Sequence, residues 1–277
     1  MFRELVYNDL MGRQRTEAVA KEWGAIAAEF EQVCGYKESY NRADVVKFLA
    51  HLRKRQLALT TIMKNLKVLR LIAQIQPERW PKEGFPKVSL PRVKEQDITR
   101  TIFTKKQVIS LIQMGRQLLE PMELCYLALA TTYGLRRQEM CKPKPPQFED
   151  GKVVIYTVHG ASEKTTHLVP PEIAPYLENF QPYGPDWLSH VFLRILGRVG
   201  IRVGADYGWH SIRRSLATEL IRSEASALNV MRFMRWSEAS LRGEFGMLAI
   251  YAKKDQARID KDIFKIHPFL PYWGKME

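Results

Sequence analysis

The stretch WHSIRRSLATEL, residues 209–220, predicts a helix that packs against a protein core. Its apolar residues Ile212, Leu216 and Leu220 recur every four positions, which is the spacing of one buried helix face. On its own the stretch is compatible with an ordinary amphipathic helix. Whether it does chemistry depends on what the rest of the chain places beside it.

Two polar side chains at the start of this helix are suited to chemistry on a phosphodiester. His210 and Arg213 are three residues apart, so they should leave the helix as neighbours on one face. A histidine moves protons near neutral pH, and a guanidinium can donate to two oxygens of a phosphate. The alternative is a capping histidine beside a solvated arginine, which the stretch alone favours.

The composition indicates a globular protein with an anionic partner. The 277 residues are 45% hydrophobic and 26% charged, with a formal net charge of +13. Such an excess favours nucleic acid or an anionic membrane surface, although many basic proteins bind neither. Cys34, Cys125 and Cys141 lack metal-ligand spacing, and no apolar run is long enough to cross a bilayer. We therefore expect a cytoplasmic protein with reduced thiols, no metal and no membrane segment.

Residues 1–76 predict a small all-helical bundle. Apolar residues recur at helical spacing over Thr16–Phe30, after the N-cap candidate Asn41, and over Thr60–Ile75. No stretch before residue 100 shows the alternation of a convincing strand. Residues 77–100 contain Pro77, Pro81, Pro86 and Pro91. This region predicts an extended linker to a second domain at residues 101–277.

The positive charge of the bundle is concentrated in its second half. Residues 1–50 carry 7 basic and 8 acidic side chains, whereas residues 51–100 carry 12 basic and 4 acidic ones. Basic residues precede the third helix and lie along it at three-residue steps, which suits contacts with phosphates in a groove. The candidates are Arg53, Lys54, Arg55, Lys64, Lys67 and Arg70. An ordinary solvated helix face is the alternative.

Residues 101–277 predict a mostly helical second domain. Thr104 is a candidate N-cap for a helix over Lys105–Leu119, and the almost wholly apolar Pro121–Tyr133 predicts a central helix. Further helical patterns cover Asp186–Gly200, Ala225–Trp236 and Leu248–Lys254. The apolar side chains of the tail, Ile259–Trp273, must pack either on this domain or on a neighbouring subunit to leave solvent.

Two arginines follow directly after the central helix, beyond its break at Gly134. Charge this close to a core needs a partner, and Glu139 lies three residues after Arg136, where its carboxylate can hold the guanidinium. The alternative is that Arg136 and Arg137 are the cations that favour a helix C-terminus.

The best hairpin signal lies between Gly151 and Pro170. It predicts one strand over Val153–Val158 and a second over Thr165–Val169, so the fold class is mostly α with a small β-hairpin, α+β. Lys164 begins the returning strand, and a lysine there can reach a DNA groove and donate a proton to a leaving oxygen. A turn lysine that faces solvent is the alternative.

The order of these motifs resembles the tyrosine recombinase (phage integrase) family. Gly134-Leu135-Arg136-Arg137-Gln138-Glu139 is similar to its first arginine box, and His210-Ser211-Ile212-Arg213 to its His-x-x-Arg box. Trp236 stands where the family has His or Trp, and Ile250-Tyr251 resembles the segment that bears its nucleophile. The resemblance covers residues 101–254 and implies a helical core-binding domain followed by a catalytic domain with a C-terminal tail.

This chain departs from the family pattern in two places. The segment between Trp236 and Tyr251, which contains Gly243 and Gly246, is longer than usual and suggests an inserted or flexible loop. The hairpin lacks the Gly-Lys turn common in bacterial members, so Lys164 is chosen as the lysine nearest the tip. Lys152 is the fallback.

The resemblance implies a catalytic role for each matched residue. Tyr251 would attack a DNA phosphodiester to give a 3′-phosphotyrosine, and Arg136 and Arg213 would clamp the non-bridging oxygens. His210 would take the tyrosyl proton, Lys164 would protonate the leaving 5′-oxygen, and Trp236 would donate an indole hydrogen bond. Tyr272 lies among prolines near the C-terminus and is a poor candidate for the nucleophile.

The resemblance also implies partners and leaves rival functions. It implies double-stranded DNA as the partner, a homotetramer on two DNA sites (a monomer is possible without DNA), no cofactor, a DNA-associated location, and membership of a mobile genetic element. The rivals are a type IB topoisomerase-like nicking-closing enzyme and a non-catalytic DNA-binding relative, which the long segment before Tyr251 keeps open. A basic scaffold that binds RNA is a remote option.

Overall fold

The structure, a computed structural model, describes residues 1–88, 101–157, 163–236 and 255–274. The chain divides into two compact units, Met1–Thr99 and Arg100–Glu277, and each has its own hydrophobic core. The helix predicted at Leu248–Lys254, the nucleophile candidate Tyr251 and the second half of the predicted linker, residues 89–100, lie outside the described residues. The long segment between Trp236 and Tyr251 lies outside them as well.

The first unit is helical throughout its described part. Its helices are α1 (Phe2–Gly12), α2 (Glu17–Cys34), α3 (Arg42–Lys54) and α4 (Leu59–Ile75). No strand occurs within residues 1–88, as the sequence predicts. Helix α1 is missing from the predicted elements, although Phe2, Val6 and Leu10 recur every four residues and are buried in its packing against α2.

The predicted cap of α3 is confirmed. The side-chain oxygen of Asn41 accepts hydrogen bonds from the backbone N–H groups of Ala43 at 2.8 Å and Asp44 at 3.4 Å. The Asp44 carboxylate accepts in return from the Asn41 N–H at 3.1 Å. These reciprocal bonds satisfy N–H groups that the first turn of a helix leaves without a partner, and so fix where α3 begins.

The second unit is built around one apolar helix. Its described helices are α5 (Lys105–Leu118), α6 (Pro121–Tyr133), α7 (Ala174–Leu177), α8 (Pro185–Val199), α9 (Trp209–Arg222), α10 (Ala227–Phe233) and α11 (Gln256–Lys265). Every residue of α6 from Glu123 to Tyr133 is buried, so the central position predicted for this helix is confirmed. None of the described helices combines the length and apolar character needed to cross a lipid bilayer.

Helix α6 ends at a glycine that the packing requires. Gly134 has φ of 57°, in the left-handed region that side chains other than glycine adopt only at a cost. A Cβ atom here would lie 2.7 Å from Cε of Met234 and 3.3 Å from a methyl group of Leu216. The glycine therefore turns the chain sharply and leads it into the segment that carries Arg136.

The described part of the second unit contains an antiparallel sheet in the order β1 (Gln147–Glu149), β2 (Lys152–Tyr156), β3 (Lys164–Leu168). The β2–β3 pair corresponds to the predicted hairpin. Strand β1 is absent from the predicted elements because its three exposed residues are too short a stretch to show an alternating pattern. Together with the helices, this sheet gives the predicted fold class, mostly α with a small sheet.

The C-terminal tail packs on its own chain. Ile259 and Ile263 of α11, together with Phe269, Leu270 and Trp273, are buried in the core of the second unit. The indole N–H of Trp273 donates to the Thr131 hydroxyl at 3.1 Å. Of the two positions left open for the tail, the described residues adopt packing in cis rather than docking on a neighbouring subunit.

A buried histidine in this tail makes stability depend on pH. The His267 ring lies 2.9 Å from the Thr132 carbonyl through Nε2, and its Nδ1 accepts from the Leu270 N–H at 2.9 Å. Burial lowers the pKa of His267 from 6.5 to about 4. Between these values the unfolded chain takes up a proton that the folded chain does not, so stability falls as the pH is lowered.

We expect the second unit to lose stability between pH 6.5 and pH 4 in urea titrations. One pKa unit corresponds to about 1.4 kcal/mol, so the His267 shift alone accounts for a loss of about 3 kcal/mol. His267→Gln should reduce this pH dependence, and His190→Gln, at an exposed histidine, is the matched control. A pH dependence that His267→Gln leaves unchanged would show that the loss arises elsewhere.

Candidate active site

Helix α9, which carries His210 and Arg213, packs against the core of the second unit. The indole N–H of Trp209 donates to the Leu188 carbonyl of α8 at 2.7 Å, and the Ser215 hydroxyl donates to the Phe103 carbonyl at 3.0 Å. These contacts lie on both sides of the His210–Arg213 turn, so they fix the direction in which its side chains leave the helix.

Arg213 is almost completely buried, with 2% of its surface exposed. Its two terminal nitrogens donate to the carbonyls of Gly134, at the end of α6, and Met234, at the end of α10. These bonds use two of the five N–H groups of a guanidinium. Burial, then repulsion by Arg235 and Arg136, lowers its pKa, but a guanidinium stays charged at neutral pH.

Arg136 and Glu139 form the ion pair that their spacing predicts. The Arg136 Nη1 lies 2.5 Å from Oε1 of Glu139, and the Arg136 backbone N–H donates to Oε2 at 2.9 Å. The Glu139 side chain is fully buried, which by itself raises the pKa of its carboxyl. The charge of Arg235 and the hydrogen bond from Arg136 outweigh that effect and lower the pKa of Glu139 below its usual 4.5.

His210 lies at the exposed start of α9, where the charges of Arg213 and Arg136 act on its imidazole. Partial desolvation, followed by the positive charges of Arg214, Arg213 and Arg136, lowers the pKa of His210 from 6.5. The imidazole is therefore neutral at pH 7 and able to accept a proton. The fold thus brings together Arg136, His210 and Arg213, which lie in separate parts of the sequence.

The predicted site residues line two cavities. One of about 500 Å³ is lined by Arg136 and His210. The other, of about 570 Å³, is lined by Lys152, Lys164 and Trp236, and also by Arg235. The structure therefore places the two halves of the predicted site in different cavities. Both candidate hairpin lysines line the same cavity, with Lys152 paired across the strands to Leu168 and Lys164 to Tyr156.

Arg235 belongs to this site and is missed by the sequence reasoning. It is 4% exposed, and its guanidinium lies 3.2 Å from the Glu139 carboxylate. Its φ of 55° is in the left-handed region, which costs a residue other than glycine about 1–2 kcal/mol. The available signal was a charged residue between the apolar pair Phe233-Met234 and Trp236.

The basic residues predicted to contact DNA lie in the first unit and are largely exposed. Arg55 pairs with Glu29, and the half-buried Lys64 pairs with Glu22. The Arg70 guanidinium lies 5.8 Å from the centre of the Phe85 ring. The exposed members are Arg53, Lys54, Arg55, Lys67 and Arg70.

No cluster of three or more histidine, cysteine, aspartate or glutamate side chains able to hold a metal ion occurs in the described part of the chain.

Comparisons with known proteins find likeness in structure and none in sequence. No protein-family model and no curated protein sequence matches this chain. The XerH site-specific recombinase bound to palindromic difH substrate, in its post-cleavage complex, is similar with a TM-score of 0.60 and 14% identity over 90% of this chain and 80% of that one. Its pre-cleavage complex with difH substrate gives a TM-score of 0.57 and 13% identity over 82% and 78%.

Proposed function

We propose that this chain, which has the tyrosine recombinase fold, is a site-specific DNA recombinase that cleaves and rejoins DNA strands through a 3′-phosphotyrosyl intermediate. The observation that carries the proposal is that Arg136 and His210 line one cavity, while Arg213 is held by the Gly134 carbonyl, two residues before Arg136. The similar XerH structures are complexes of a recombinase with its DNA substrate, which makes duplex DNA the partner to test.

The charge of the cluster supports an anionic substrate. Glu139 is the carboxylate that pairs with both Arg136 and Arg235, while the described ion pairs do not include Arg213. Positive charge therefore exceeds negative charge here, in a setting partly shielded from water. A phosphodiester under attack gains negative charge on its non-bridging oxygens, and prearranged guanidiniums stabilise that charge.

The reaction is a transesterification at phosphorus. The Tyr251 oxygen forms a bond to the phosphorus as the bond from phosphorus to the 5′-oxygen breaks, and His210, neutral at pH 7, takes the tyrosyl proton. From the cavity that Arg235 also lines, Lys164 gives a proton to the departing 5′-oxygen and Trp236 donates an indole hydrogen bond to the phosphate. A 5′-hydroxyl reverses these steps, so the energy of the broken bond is kept and no cofactor is consumed.

The first unit holds the duplex through the basic residues that precede α4 and lie along it. Arg55 and Lys64 exchange their carboxylate partners Glu29 and Glu22 for DNA phosphates, and the exposed Arg53, Lys54, Lys67 and Arg70 add further contacts. The acting form is a homotetramer on two DNA sites, and the protein is DNA-associated in the cell.

The test has two steps. DNA sites that the protein binds are first selected from a pool of duplexes with randomised sequence, and nicked duplexes carrying those sites are then used in a covalent-trapping assay. Wild-type protein should form a covalent DNA adduct without added cofactor and then join the strand to a second duplex. An adduct that religates only to its own duplex would favour the topoisomerase-like alternative. Specific DNA binding with no adduct would leave a non-catalytic DNA-binding protein.

A further inference from the structure

We propose that Arg235 is a positioning residue for DNA cleavage, which acts by holding Glu139 and, through it, Arg136. This inference rests on the proposed recombinase function. Arg235 does not itself line the cavity that contains Arg136 and His210 among the described residues; it lines the cavity that contains Lys164 and Trp236. Its guanidinium therefore lies where the two halves of the site meet.

Both terminal nitrogens of Arg235 are held by the core. Nη2 donates to the Tyr133 carbonyl at 3.0 Å and to the Glu139 carboxylate at 3.2 Å. Nη1 donates to the Phe233 carbonyl at 3.0 Å and lies 3.4 Å from Nε2 of His167. These partners come from the end of α6, the turn that follows it, the end of α10 and strand β3, so the guanidinium joins four segments of the second unit.

Glu139 links Arg235 to Arg136, so that fixing the Arg235 guanidinium also fixes that of Arg136. Its Oε1 binds the Arg136 guanidinium, and its Oε2 binds both the Arg136 backbone N–H and Arg235. A carboxylate held on both oxygens has one orientation, and that orientation sets where the Arg136 guanidinium lies. Without Arg235, one oxygen loses its cation and its fixed position, and the pKa of Glu139 rises because burial opposes the charged form that holds Arg136.

A second chain of contacts ties the same guanidinium to the C-terminal helix. His167 Nδ1 lies 2.8 Å from the carboxylate of Asp260 on α11, while its Nε2 faces Arg235. One neutral tautomer satisfies both contacts, because the Nδ1–H donates to Asp260 and the Nε2 lone pair accepts from Arg235. The opposite tautomer would turn an N–H toward the guanidinium. Strand β3 and α11 therefore help to fix Arg235.

The backbone of Arg235 indicates that the side chain is what the site needs there. Its φ of 55° suits glycine far better than arginine. An arginine held in this conformation is retained by its buried contacts rather than by local preference. Replacing it with glycine relieves the backbone while it removes the whole side chain, guanidinium included, and guanidinium ion in solution can replace the lost group, which makes Arg235→Gly an informative variant.

The experiment measures single-turnover adduct formation by Arg235→Gly and Arg235→Lys, with DNA affinity and unfolding monitored in parallel. We expect Arg235→Gly to cleave DNA about 100-fold more slowly than wild type, because small displacements of catalytic groups have effects of that size, while DNA affinity changes little.

Added guanidinium ion at low millimolar concentration should restore part of the cleavage rate of Arg235→Gly, and ammonium ion at the same concentration should not. Arg235→Lys keeps the positive charge, so its cleavage rate should lie between those of wild type and Arg235→Gly. Glu224→Gly, at an exposed residue with φ of 59°, is the matched backbone control and should match wild type.

Three results would overturn the proposal. Wild-type cleavage by Arg235→Gly would show that the guanidinium positions nothing. A parallel loss of DNA affinity, folding and rate in both variants, without rescue by guanidinium, would show a role in folding alone. A wild-type protein that forms no adduct would overturn the proposed recombinase function and this inference with it, and that failure is distinguishable because it precedes any comparison of variants.

Discussion

Arg136→Ala is expected to lower the single-turnover rate of DNA cleavage by about 10³-fold while DNA affinity changes only several-fold. The guanidinium faces the cavity shared with His210 and is held by Glu139 at 2.5 Å. It is thus prearranged for charge that develops in the transition state, whereas DNA affinity is spread over many phosphate contacts. Covalent trapping on a nicked duplex gives the rate, and a filter-binding titration gives the affinity.

The neighbouring arginine supplies the control for this prediction. Arg137 is exposed and donates to the Ser189 hydroxyl at 2.5 Å rather than to Glu139. Arg137→Ala should therefore cleave at close to the wild-type rate. If Arg136→Ala cleaved as fast as wild type, Arg136 would have no part in the chemistry. If Arg137→Ala lost the activity instead, the role would belong to the next residue along the chain.

Glu139→Ala is expected to destabilise the second unit by about 3–5 kcal/mol. The substitution removes the carboxylate that pairs with Arg136 and with the buried Arg235, and so leaves a buried positive charge without compensation. Urea unfolding at pH 7, followed by tryptophan fluorescence and circular dichroism, measures the loss.

An exposed glutamate provides the comparison for this effect. Glu178→Ala removes a carboxylate at the surface and should change the free energy of unfolding by less than about 0.5 kcal/mol. A loss below about 1 kcal/mol for Glu139→Ala would contradict the view that this carboxylate neutralises buried guanidiniums.

The parts of the fold predicted from sequence are those whose signal is local. The almost wholly apolar run Pro121–Tyr133 predicts a central helix, and Glu123–Tyr133 are all buried. The caps at Asn41 and Thr104 follow from hydrogen bonds within three residues. The Arg136–Glu139 ion pair follows from the same kind of short spacing. Strand β1 has no such signal, because it is only three residues long and buries none of them.

The parts of the site that could not be predicted depend on contacts between distant segments. The role of Arg235 requires Glu139, His167 and the end of α6 to meet around one guanidinium. A charge among apolar residues marks Arg235 as unusual, but it does not indicate which distant segments it joins. The carbonyl partners of Arg213 are likewise the ends of two other helices. Side-chain chemistry and short spacing suggest which residues act and which near neighbours hold them, whereas only the fold shows the partners that come from distant segments.

The most direct test of the central claim is to identify the tyrosine that becomes attached to DNA. Wild type, Tyr251→Phe and Tyr272→Phe are incubated with a nicked duplex, and the adduct is digested and mapped by mass spectrometry. Tyr272 is the appropriate control, because it is the other tyrosine that follows Trp236. We predict a DNA-linked peptide containing Tyr251 in wild type and Tyr272→Phe, and no adduct in Tyr251→Phe. An adduct that persists in Tyr251→Phe would contradict the account.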